Sequence, residues 1–206
     1  MCEDAPLAPR SPYSASKVGA EMQARAFGES FGVPVVVSRG MNTIGPRQYP
    51  EKLVPLFTIN ALLGEPMPLY GDGLQERDRF YVEDHAAALD LLLHDGQPAE
   101  TYNVGGGNYA TNRHVAERIC DLLDRPYELI QPVADRPGHD RRYRLDTGKL
   151  RGLGWTPQVG LDEALARTVA WYRAHPEWWQ PLRERMHQGY YQRQYGARLQ
   201  QAPALA

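Results

Sequence analysis

Residues 13–38 read YSASKVGAEMQARAFGESFGVPVVVS, and this stretch decides the fold class. Val18, Met22, Ala26 and Phe31 fall near a 3.6-residue period, which predicts a helix over 13–31. Gly32 stands where a C-cap glycine belongs. Val33 to Ser38 then forms a β-branched run of the kind that is covered on both faces in a parallel sheet. A helix feeding such a strand is half of a βαβ crossover, so the class is α/β. Upstream lies only a Pro-rich lead-in (Pro6, Pro9, Pro12), with no strand for the helix to cross from. The chain therefore reads as the back half of an α/β protein.

Downstream the same alternation continues. Lys52 to Leu63 reads as a helix stopped by Gly64, and Pro66 to Tyr70 is too proline-rich for a central strand, so it is an extended edge or loop segment. Arg79 to Val82 is a short strand, and Asp84 is placed as N-cap of a helix running to about His94. Thr101 to Val104 is a further strand opening into Gly105-Gly106-Gly107. Val115, Ile119, Leu122 and Leu123 mark a third clear helix, capped by Thr111 or Asn112. Leu161, Leu165, Thr168, Val169 and Tyr172 mark a fourth. Past Pro176 the chain is rich in Trp, Tyr, Arg and Gln, and its end reads as a loosely held tail.

At 206 residues the chain is long enough to bury a core in one compact unit, and with 42% hydrophobic and 23% charged residues it is no disordered segment. A net charge of −2 draws it to neither nucleic acid nor an anionic membrane. No apolar run approaches a membrane span, and the start Met1-Cys2-Glu3-Asp4 is acidic where a signal peptide is basic, so a cytoplasmic address is expected. Cys2 and Cys120 form no CxxC, and Cys120 falls in a helix as a core residue. The six histidines have no metal-ligand spacing, so no metal is expected.

Three groups of residues carry chemistry. Tyr13 and Lys17 lie one helical turn apart on one face, and a neighbouring cation favours a phenolate that can exchange a proton with a substrate hydroxyl. Of 23 basic residues only three are Lys, yet one stands here, and a compact ammonium suits a proton relay better than a guanidinium does. Asp135 to Arg142 puts three Arg and a His in a Pro- and Gly-containing loop. That loop is either a bidentate phosphate grip or a self-neutralising charge cluster. Arg77 and Arg79, beside Glu76 and Asp78, read most simply as a surface charge network. Asn42 follows the first strand, where ligands collect in doubly wound sheets, or else it forms a turn. Neither GxSxG nor GxxxxGK occurs, and Gly71-Asp72-Gly73 lacks the third glycine of a dinucleotide fingerprint.

Several landmarks together resemble the extended short-chain dehydrogenase/reductases, most closely the dTDP-glucose 4,6-dehydratases among them. They are Ser11 to Lys17, Tyr49-Pro50-Glu51-Lys52-Leu53-Val54-Pro55, Pro68 to Gly73, Tyr81 to His85, Thr101 to Gly106 and Asp135 to Arg142. The YxxxK spacing is common to the superfamily, whereas the PEKL and DRPGHDRR stretches are particular to the dehydratases. The resemblance implies a partial Rossmann-type doubly wound parallel sheet plus a small α/β substrate-binding lobe. Residues 1–50 would be the remainder of the NAD-binding domain, 51–190 mainly the nucleotide-sugar lobe, and 191–206 a tail.

It further implies bound NAD as cofactor, taking hydride from sugar carbon 4 and returning it to carbon 6 around a dehydration of dTDP-glucose. Tyr13 and Lys17 would be catalytic and, with Thr43, would contact the cofactor. Asn42, Lys52, Leu53, Pro68, Leu69, Tyr70, Arg77, Asn103, Asp135, Arg136, Pro137, Gly138 and His139 would contact the nucleotide-sugar. The intact protein would be a homodimer through paired helices that include the one carrying Tyr13. Two positions depart from the family pattern: Arg79 stands where Trp is usual, and Ile44 where Tyr is usual. The glycine fingerprint, the ribose-binding acid and the Thr-Asp-Glu elimination stretch have no counterpart, and Glu3 and Asp4 match a later, noncatalytic segment. The chain is thus expected to be a C-terminal part, inactive alone, with uncovered faces that favour self-association. A 4-epimerase or decarboxylase of the same superfamily and a noncatalytic nucleotide-sugar-binding module are the competing readings.

Overall fold

The computed structural model describes residues 1–135 and 138–200. Helix α1 spans Pro12–Phe31. Ser11 caps it by accepting from the Ser14 N–H, Pro12 occupies the first turn where no N–H is needed, and Gly32 closes it at φ 69°. None of its residues is buried, and Tyr13 and Phe31 are each 72% exposed. What fastens α1 is electrostatic. Glu21 accepts from Arg39 at 3.0 and 2.8 Å and from Arg25 at 3.2 Å, and Arg39 chiefly holds the Glu21 carboxyl below its usual range.

Arg39 belongs to β1 (Val37–Gly40), which pairs in parallel with β5 (Thr101–Val104), Val37 facing Thr101. The strand expected over Val33 to Ser38 therefore starts later, at Val37, and is not covered on both faces, for none of residues 33–40 is buried. Pro34 supplies no ladder N–H, and among the described strands none pairs with the outer edge of β1. A second sheet places β4 (Glu76–Tyr81) between β2 (Asn42–Ile44), parallel to it, and β6 (Tyr109–Thr111), antiparallel. The proline-rich β3 (Met67–Tyr70) pairs only with β7 (Ile130–Val133), so both strands are edges and Pro68 costs no central ladder bond.

Helix α2 (Leu53–Leu63) is buried continuously from Val54 to Ala61 because it is apolar all round, as a helix enclosed by other elements must be. It lies between α4 (Asn112–Leu123) and α6 (Leu161–Ala174), and Leu56, Phe57, Val115, Ile119, Leu165 and Val169 share its core. Thr111 caps α4 through the His114 N–H at 3.1 Å. Helix α3 (Val82–Asp95) begins two residues before the expected Asp84 cap. Asp84 lies inside the first turn instead, where its carboxylate accepts from the Gln158 and Val159 N–H groups at 2.9 and 3.0 Å and so docks the loop before α6.

The remaining described elements are short helix α5 (Gly148–Gly152), α7 (Pro176–Met186), a π-helical stretch over His187–Gly196 and α8 (Ala197–Gln200). Tyr191 and Tyr195 are 6% exposed, so this segment packs on the core as far as it is described. The architecture is α/β, with helices on both sides of small, mainly parallel sheets. No described helix is long and apolar enough to cross a membrane.

Candidate functional site

A cleft of about 740 Å³ runs between the N-terminal turn of α1, the strands β2 and β4, the start of α2 and the loop after β7. Tyr13, Asn42, Thr43, Lys52, Leu53, Pro68, Tyr70, Arg77, Gly138 and His139 all line it, although they come from six separate stretches of chain. Each arrives for a local reason. Capping by Ser11 sets the first turn of α1 and presents the Tyr13 phenol at the mouth. Asn42 and Arg79 are register partners on the parallel strands β2 and β4, so their side chains leave the same face of that sheet. In β3 the two-residue alternation turns Pro68 and Tyr70 to the cleft and puts Leu69, 1% exposed, into the core.

Other expected residues lie elsewhere. Lys17 is exposed on α1 one turn beyond Tyr13 and does not line the cleft. Asn103 is 1% exposed: its N–H donates to Glu3 Oε1 at 2.9 Å, and its amide donates to the Met1 and Asp146 carbonyls at 3.1 and 3.0 Å. It ties the N-terminal residues to β5. Asp135 supports the cleft from behind, accepting from Gln75 at 2.9 Å and meeting His139 Nδ1 at 2.7 Å. Arg136 and Pro137 lie outside the described residues. In the same loop Arg141 binds Asp72 at 2.8 and 2.9 Å, so for this arginine the self-neutralising reading applies.

Arg77 and Arg79 are no surface network. They are 8% and 4% exposed, held at the base of the cleft against Tyr143 and Asn112. Arg77 donates to the Glu76 and Asp140 carbonyls, each at 2.7 Å, and lies over the Tyr143 ring at 4.8 Å. Arg79 donates to the Ala110 carbonyl at 3.1 Å and to Asn112 Oδ1. Burial, then the like charge of Arg77, pulls its pKa down to about 10. Asp78 points to the opposite face, where the Gly107 and Asn108 N–H groups donate to it at 3.0 and 2.8 Å, and burial raises its pKa against those donors. A side chain at Gly105 would meet Asp78 Oδ2 at 2.5 Å, which is why the chain there must be glycine.

The floor is aromatic. Tyr70 meets His139 edge-on at 6.1 Å and Tyr195 at 5.8 Å, and its hydroxyl accepts from Gln194 at 2.6 Å. Gln48 donates to the Thr43 carbonyl at 2.8 Å, and its own Oε1 is buried with no partner among the described residues. Thr43 Oγ1 meets His85 Nδ1 at 2.6 Å, and burial lowers the His85 pKa. Lys52, at the N-cap of α2, forms an exposed pair with Glu51 at 2.9 Å. Gln194, Tyr195, Gln48 and Tyr143 gave no sequence signal as site residues, since their placement depends on contacts across more than one element. Flat aromatic faces, buried guanidinium groups and one phenol at the mouth suit a ligand with a ring, an anionic middle and a hydroxylated end.

Known proteins align with this arrangement. The family model described as GDP-mannose 4,6 dehydratase matches residues 1–168. The dTDP-glucose 4,6-dehydratase of Salmonella typhimurium is 44% identical over 204 residues, covering 95% of this chain and 56% of the relative. Among solved structures, dTDP-glucose 4,6-dehydratase from Bacillus anthracis in complex with NAD is 48% identical at a TM-score of 0.83, over 87% of this chain and 58% of that one. DesIV, a dTDP-glucose 4,6-dehydratase from Streptomyces venezuelae with NAD bound, is 46% identical at a TM-score of 0.86, over 88% and 57%. The chain thus spans just over half the length of the relatives it matches.

Proposed function

The chain belongs to the GDP-mannose 4,6 dehydratase family, and from that membership we propose that it is the substrate-gripping part of a NAD-dependent dTDP-glucose 4,6-dehydratase, a lyase that makes a 4-keto-6-deoxy sugar. The observation that carries this reading is the meeting of Tyr13, Asn42, Lys52, Arg77 and His139 around one cleft. The aromatic floor of Tyr70 and His139 takes the nucleobase, Arg77 the diphosphate, and Asn42 the hexose. The Tyr13 oxygen, acting as phenolate, accepts the proton of the sugar 4-hydroxyl and becomes the phenol, with the Lys17 ammonium one turn away on the same helix.

The residues present fit one end of NAD only. Thr43 and Tyr13 stand together at the cleft, which suits the nicotinamide ribose, but among the described residues no GxGxxG turn opens a helix to cradle the pyrophosphate. When bound, NAD supplies the hydride acceptor and donor. The uncovered face of α1 and the unpaired outer edge of β1 are the surfaces on which a further α/β segment, bearing the rest of the cofactor site, would pack. Met22, Phe27 and Phe31, exposed on α1, fit a homodimer contact in the assembled protein.

The test is mass analysis of dTDP-glucose incubated with NAD and either this chain alone or this chain co-produced with the remaining part of a relative. No turnover is expected alone. Loss of water from the sugar is expected after assembly, slowed by about 10²–10⁴-fold in Tyr13→Phe. Turnover by the chain alone would refute the need for a further segment, and an epimer in place of the dehydrated sugar would refute the dehydratase reading.

A further inference from the structure

Arg77 and Arg79 stand two residues apart on β4, so their side chains leave one face of the strand and both enter the cleft. Arg79 is 4% exposed, and its two hydrogen-bond acceptors, the Ala110 carbonyl and Asn112 Oδ1, are neutral. The acceptors of Arg77 are likewise carbonyls. Among the described residues neither arginine pairs with a carboxylate, and Asp78 between them is engaged on the opposite face by the Gly107 and Asn108 amides. Two buried cations of like sign, side by side and with no carboxylate paired to either, are costly unless a ligand brings the charge.

We propose that Arg79 is an anion-gripping residue of the cleft that acts with Arg77 to hold the two phosphoryl groups of a nucleoside diphosphate-linked ligand. This rests on the nucleotide-sugar reading above and adds a residue and a division of labour to it. Residues i and i+2 of a strand are roughly 7 Å apart, and two planar forks converging from that spacing match two adjacent phosphoryl groups, one each, by bidentate bonds. Arg79 faces Asn42 across β2 and β4, so it takes the phosphoryl group nearer the Asn42 end and Arg77 the one nearer the loop of Asp140 and Tyr143. A guanidinium pKa drawn down to about 10 still leaves Arg79 charged at neutral pH, so the grip is present without a change of protonation.

The experiment is calorimetric titration of the 206-residue chain and its Arg79→Gln and Arg79→Lys variants with thymidine, dTMP and dTDP. The wild type is expected to bind dTDP more tightly than dTMP. Arg79→Gln should weaken dTDP by roughly 10- to 100-fold while thymidine is unchanged, and Arg79→Lys, which keeps the charge without the fork, should fall between. Should Arg79→Gln not fold, the Arg79→Lys ratio of dTDP to thymidine affinity decides alone. An unchanged ratio in the variants, or an equal loss for thymidine and dTDP, overturns the role of Arg79 while leaving the nucleotide-sugar reading intact. A wild type that binds none of the three overturns both.

Discussion

At the scale of single residues, the structure turns on where charge is buried. Arg77, Arg79 and Asp78 look from the sequence like an exposed alternation of signs, yet all three are buried and the two signs face opposite sides of β4. Neighbours along the chain neutralise one another only if they share a face, and strand alternation forbids that here. Asp84 shows the same point. Its type and position suit an N-cap, but the helix starts earlier and the carboxylate, 5% exposed, serves a loop more than seventy positions away. Asp84→Ala should therefore cost about 2–4 kcal/mol, because it strands two loop amides that gave charge-assisted bonds, whereas loss of a cap costs about 1. Urea unfolding of the variant checks this, and a change under 1 kcal/mol would return Asp84 to a capping role.

Among the elements, those with a complete local signal were legible. The bounds of α1, α2, α4 and α6 follow from apolar period and from Gly32, Gly64 and Thr111 at their ends, and β5 matches its sequence reading residue for residue. The start of β1 was not, because Val33 to Val36 have strand propensity but no neighbouring strand to pair with. Nor was the packed stretch that carries Tyr191 and Tyr195, whose order comes from contacts with α2 and β3 and not from its own composition. Helix α1 depends on a few polar contacts, since it buries no residue and is held by Glu21 to Arg39 and by Arg25 donating to Thr101 Oγ1. The Glu21 carboxyl is depressed, so its contribution to stability is full above the ordinary carboxylate value of about 4.3 and is lost as pH falls through the lowered value. Glu21→Gln should lower the melting temperature at pH 7, with the gap to wild type closing in acid. Thermal melts across that range measure it, and a gap that persists or widens in acid would assign α1 another anchor.

Over the whole molecule, one side is finished and the other is not. The face built on α2, α4 and α6 encloses the large core, while the groove lined by Val35, Val36, Leu89, Leu92 and Leu93 beside β1 leaves apolar surface open, with Leu93 80% exposed. The cleft has its walls set by β2, β4 and α2, with the first turn of α1 at its mouth. Ligand binding there should thus survive in the chain by itself, while catalysis is proposed to need the further segment. Hydrogen exchange of the chain with and without dTDP tests that claim most directly. Exchange should slow at β4, at the start of α2 and over residues 138–143, with the groove along β1 unchanged. Uniformly unaltered exchange, or protection confined to residues 34–38 and 89–93, would contradict it.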